Sequence, residues 1–191
     1  MSQLEWHIYL DKIPFSKSGR FWVSFESDPG LKKTKTNIYD RCLPCIQNLY
    51  HQLKLGLKEI SLGNAYNCWK IIAIVKRFED GISLLSEFER RYPVGHIYGK
   101  LGSGRGNLET RVVVFHAEDV AERDRIRTAL EKCLPAVKSN RGVQISRACA
   151  VLYDDLLGDW HDWLPVTKIK YPENVGNLLE RLRGILYSAV M

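Results

Sequence analysis

The order of elements between Trp69 and about Tyr153 constrains this chain more than any other feature. WKIIAIV (Trp69 to Val75) is a nearly continuous apolar run, as a central strand requires. Asp80 to Tyr92 carries Ile82, Leu85, Phe88 and Tyr92 on one side, which predicts a helix. His96 to Leu101 and RVVVFH (Arg111 to His116) predict two strands, joined by a Gly/Arg-rich hairpin, GKLGSGRG (Gly99 to Gly106). Glu118 to Val137 sets Ile126, Leu130, Cys133 and Val137 at helical spacing, and Pro135 ends that helix early. Val143 to Tyr153 predicts a fourth strand. With right-handed crossovers, this order predicts an α+β fold with a ferredoxin-like βαββαβ core over 69–153: a four-stranded antiparallel sheet with two helices on one face.

The flanks add a hairpin and two helices. Leu4 to Leu10 and Arg20 to Phe25 predict strands, with Pro14, Ser16, Ser18 and Gly19 supplying turn chemistry between them. A helix is expected from Leu43 to Ile60, with Pro44 in its first turn and Ile46, Leu49, Leu53 and Leu57 as its apolar stripe. After GDWHDWLP a last helix is expected from Glu173 to Tyr187. The 191 residues then form a single domain: an N-terminal extension (1–68), the core (69–153), and a tail with its helix (154–191).

Composition narrows the partners. The net charge is +6, which suits an anionic ligand without requiring one. No apolar run approaches the roughly 20 residues of a membrane span. The start, MSQLEWHIYL, lacks a basic stretch followed by an apolar one, so no secretory signal and a cytoplasmic location are expected. Five cysteines then predict reduced thiols.

The clearest binding candidate is the hairpin. Gly102, Gly104 and Gly106 let backbone N–H groups approach an anion, and Lys100, Arg105 and Arg111 add charge and bidentate phosphate contacts. Three histidines are catalytic candidates. His96 and His116 lie at the outer ends of the two hairpin strands, where one could act as base and the other as acid in RNA cleavage. His161, flanked by Asp159 and Asp162, could be a base with an orienting carboxylate; packing by Trp160 and Trp163 explains the same motif. Tyr92, Tyr98 and Phe115 near the basic hairpin would suit stacking of single-stranded nucleic acid, or simply a core. Cys42-Leu-Pro-Cys45 reads as two thiols at the buried start of a helix, with a redox site or zinc half-site as alternatives. No cofactor or resident metal is implied.

KIIAIVKRF (Lys70 to Phe78), GKLGSGRG and RVVVFHAEDV together resemble the PII-type nitrogen-regulatory signalling proteins over residues 70–131. That resemblance implies a homotrimer with an anionic ligand, usually an adenine nucleotide, in clefts between subunits. By topology the core is also similar to RNA-binding and RNA-cleaving subunits of CRISPR systems. The expected function is a non-catalytic regulatory or adaptor protein that binds a phosphate-bearing ligand at the hairpin. The alternatives are an RNA-binding subunit or ribonuclease on the same basic face, and a structural subunit of a larger assembly. Nucleotide or RNA is the expected ligand, a homo-oligomer or complex the expected state, and no membrane is involved.

Overall fold

A computed structural model describes residues 7–9, 22–26, 42–91, 97–103, 111–138 and 141–188. It is a mixed α+β protein that divides into two compact units, each made of segments distant in sequence. One comprises Met1–Asn37 with Trp69–Ile145, the other Ile38–Cys68 with Ser146–Met191.

The first unit is organised by a six-stranded sheet. Its strands are β1 (His7–Tyr9), β2 (Trp22–Glu26), β4 (Trp69–Val75), β5 (Tyr98–Ser103), β6 (Arg111–Ala117) and β7 (Val143–Arg147), in lateral order β1-β2-β5-β6-β4-β7. The β1–β2, β2–β5, β5–β6 and β4–β6 pairs are antiparallel. The β1–β2 pair therefore widens the expected four-stranded sheet, with β2 pairing along β5 from Tyr98 to Gly102.

Two helices cross this unit: α3 (Phe78–Arg91) and α4 (Val120–Cys133). Alternate residues of a strand face opposite ways, and β4 shows it. Trp69, Ile71, Ala73 and Val75 are buried, whereas Lys70, Ile72 and Ile74 are half-buried. Phe115 packs against Phe88 of α3 at 4.9 Å between ring centroids, and the Arg123 guanidinium of α4 lies 4.3 Å from the Trp69 ring centre. The face carrying Ile71, Leu101, Val113 and Phe115 is thus the helix-covered one, and each of these residues is fully buried.

The helix ends follow local chemistry. Asp119 caps α4 by accepting from the Glu122 N–H at 2.7 Å, and Glu122 reaches back to the Glu118 N–H at 2.9 Å. This is a reciprocal N-terminal cap. α4 stops at Cys133 and a short 3-10 turn carries Pro135, as its missing N–H dictates. In α3 the acidic Glu79 and Asp80 occupy the first turn and Arg90 and Arg91 the last, each matching the helix dipole.

The second unit comprises α1 (Leu43–Lys54), β3 (Glu59–Ser61), α2 (Asn64–Asn67), α5 (Ala150–Leu157), β8 (Val166–Lys168) and α6 (Val175–Ser188). β3 and β8 form a separate antiparallel pair. Its core joins Ile46, Leu49 and Leu53 of α1 to Tyr153 and Leu157 of α5, Trp163, and Leu178 and Leu182 of α6. The buried Gln52 behaves as one more strand partner for β3. Its Nε2 donates to the Ser61 carbonyl at 2.9 Å and its Oε1 accepts from the Ser61 N–H at 2.7 Å.

Two element ends differ most from expectation. The first helix ends at Lys54 rather than Ile60, because Gly56 adopts φ +71° and turns the chain; Leu57 is then exposed and Ile60 is the buried centre of β3. The strand beginning at Val143 ends at Arg147 rather than Tyr153, because a turn at Ala148 and Cys149 starts α5.

Candidate functional site

The site is built by strand alternation on the sheet face turned away from α3 and α4. Lys70 pairs with His116, and Lys100 pairs with Val114, which pairs in turn with Ile72. Directly paired residues share a face. Lys70, Ile72 and Ile74 of β4, Val112, Val114 and His116 of β6, and Tyr98, Lys100 and Gly102 of β5 therefore share one surface. Both lysines on it are half-buried. Standard antiparallel spacings put their Cα atoms about 12 Å apart, two strands over and two residues along.

The described members of the predicted hairpin set, Lys100, Gly102 and Arg111, do not all share one face. Gly102 sits inside β5, paired with Val112, and is buried; it is a strand residue and no part of a loop. Gly99 is likewise within β5. Lys100 shares the face of Lys70, whereas Arg111 lies an odd number of positions from Val114, on the opposite face. Gly104, Arg105 and Gly106 lie outside the described residues, between the paired strand ends Ser103 and Arg111.

The histidines are placed differently from one another. His96 lies outside the described residues, as does Tyr92. The ring facing His116 is Tyr98, stacked at 5.6 Å with planes only 2° apart, and both side chains are buried. Tyr98 Oη donates to Glu118 Oε1 at 3.3 Å. His116 is therefore buried beside Tyr98 in the sheet. Phe115 is in the helix-covered core, so neither described aromatic offers a stacking platform.

His161 is exposed in a 3-10 turn. Its Nδ1 lies 2.6 Å from Asp159 Oδ1, and its N–H donates to the same oxygen at 3.0 Å. The main-chain N–H, and then the imidazole, hold the Asp159 carboxyl below the usual carboxylate range. Trp160 stacks on the imidazole at 3.7 Å. Asp162 accepts from Lys170 Nζ at 3.0 Å. Trp163 is a packing anchor: it is buried, and its Nε1 donates to the Gly158 carbonyl at 3.0 Å. The dyad is geometrically sound, but it stands on open surface with its carboxylate engaged by the turn.

Among the described residues, no group of three His, Cys, Asp or Glu is arranged to hold a metal ion, and no helix is long and apolar enough to cross a membrane. Lys70 shares the face of Lys100 although only the hairpin suggested charge there. The signal that finds it is the period-2 alternation of KIIAIV once its partner strand is known. No family model, curated protein or solved structure matches this chain.

Proposed function

We propose that the protein is a non-catalytic regulatory or adaptor module that binds a phosphate-bearing anion at the sheet face that carries Lys70 and Lys100. The observation that carries this reading is that half-buried Lys70 and Lys100 share that face, on strands either side of β6. Long, flexible lysine stems let two ammonium groups about 12 Å apart at the backbone close on one di- or triphosphate. Arg105 of the hairpin joins the lysines in this reading. The run β4-α3-β5-β6-α4-β7 and the lateral order β5-β6-β4-β7 support a ferredoxin-like core beneath that face. The buried Tyr98 and Phe115 favour a phosphate ligand over stacked single-stranded RNA.

A thermal-shift titration tests the reading, with ATP, inorganic pyrophosphate and a short single-stranded RNA at two salt concentrations. ATP is expected to stabilise the native chain by about 2.7 kcal/mol at 100 times its Kd. The Lys70→Ala/Lys100→Ala variant should fold and lose that response. A response to RNA alone that fades at high salt would replace the nucleotide by nucleic acid. No response to any probe, or an undiminished response in the double variant, would remove the sheet face as the site.

A further inference from the structure

The second unit gathers three thiols that the sequence scatters. Cys42 is the N-cap residue of α1 and Cys45 lies in its first turn; Cys149 is the N-cap residue of α5. Cys45 and Cys149 are buried in one cluster, and the half-buried Cys42 packs against it. The Cys149 thiol is within hydrogen-bonding reach of both Cys42 and Cys45. One turn along α5, Tyr153 Oη donates to the Cys45 carbonyl at 3.4 Å and ties the two helix starts together. All five cysteines are thiols rather than disulfides.

We propose that Cys42, Cys45 and Cys149 form a thiol–disulfide exchange site, in which a low-molecular-weight disulfide oxidises Cys42 and Cys149 to a disulfide between the starts of α1 and α5. Cys42 is the most exposed of the three and sits at a helix N-terminus, where the thiolate is favoured. Its thiolate attacks one sulfur of the oxidant. The oxidant's S–S bond breaks, one small thiol departs and takes up a proton from water, and a mixed disulfide remains on Cys42. The Cys149 thiol then gives up its proton to water as its sulfur attacks the Cys42 sulfur. The second small thiolate leaves and is protonated in its turn. One S–S bond is consumed and one is made; two protein thiols lose two electrons and the oxidant gains them.

Hydrogen bonding within the cluster spreads its charge unevenly. The hydrogen bond from Cys149 holds Cys45 below the ordinary thiol range. The hydrogen bonds to Cys42 and Cys45, with burial, push the Cys149 thiol far up, so it keeps its proton until a base takes it. Cys133, buried in the other unit with its thiol pushed up by burial, is an internal control.

The experiment is to expose the reduced full-length chain to mixtures of oxidised and reduced glutathione, block remaining thiols by alkylation and map the peptides. A Cys42–Cys149 cross-link is expected while Cys133 stays alkylated to the same extent as in the reduced sample. Cys149→Ser should trap glutathione on Cys42, and Cys42→Ser should leave both partners reduced. The mapping on the native chain decides the matter even if a variant fails to fold. A Cys42–Cys45 bond instead, oxidation that requires conditions also consuming Cys133, or a stoichiometric zinc ion co-purifying on these thiols would overturn the proposal.

Discussion

A Cβ atom at position 99 would overlap the main-chain carbonyl oxygen of Val114 and lie 2.6 Å from Cζ of Phe25. Gly99 is therefore the place where β5 lets the Phe25 ring reach across to Phe115, which it meets edge-on at 5.0 Å. This explains why GKLGSGRG misleads as a sequence. Glycine most often marks a turn, and four glycines among basic residues read as an anion-binding loop. Two of them lie inside a central strand, and at Gly99 close packing against β6 and against Phe25 of β2, which is far away in sequence, consumes the space of a side chain. Gly99→Ala must displace either a strand carbonyl or a buried aromatic ring. It should cost about 2–4 kcal/mol, within the range of severe packing mutations. Urea unfolding would measure this as a fall in midpoint at unchanged slope; a loss under 0.5 kcal/mol would show that Phe25 yields freely.

Whole elements were legible where the signal is local. WKIIAIV, RVVVFH and the helical stripe ending at Pro135 each correspond to an element close to the expected bounds, and the first-turn Pro44 marks the start of α1. Errors arose where two local signals compete. Leu57 and Ile60 continue the spacing of α1, yet Gly56 takes a left-handed turn and its successors form β3, whose partner β8 is more than 100 residues away. Periodicity alone contains nothing that decides between helix and strand there. The two sides of the sheet illustrate the same limit. Lys100 and Arg111 look adjacent across a hairpin, but register puts them on opposite faces, and register depends on pairing rather than composition. Capping, by contrast, is wholly local and can be tested locally. Asp119→Ala removes the acceptor of the Glu122 N–H at the start of α4 and should cost about 1 kcal/mol. Asp119→Asn, which keeps an acceptor, should restore most of it. Equal losses in both variants would assign the effect to the carboxylate charge at the helix N-terminus instead.

At the scale of the whole molecule, the second unit is assembled from 38–68 and 146–191, so its core exists only when both segments are folded. Leu182 of α6 is fully buried and shares a core with Ile46, Leu49 and Leu53 of α1. Neither helix can shield its apolar stripe alone, and the short β3–β8 pair gives no independent stability to either segment. This interdependence makes the unit a cooperative one in the sense probed by hydrogen exchange. Leu182→Ala leaves a cavity and should destabilise it by about 2–5 kcal/mol. Amide protection is expected to fall together in α1, β3, α5 and α6, although the change lies in α6 alone. The amides of β4, β5 and β6, in the other unit, should keep their protection. Loss confined to α6 would mean that α1 and α5 form a core without it; equal loss throughout β4 to β6 would mean that the two units unfold as one.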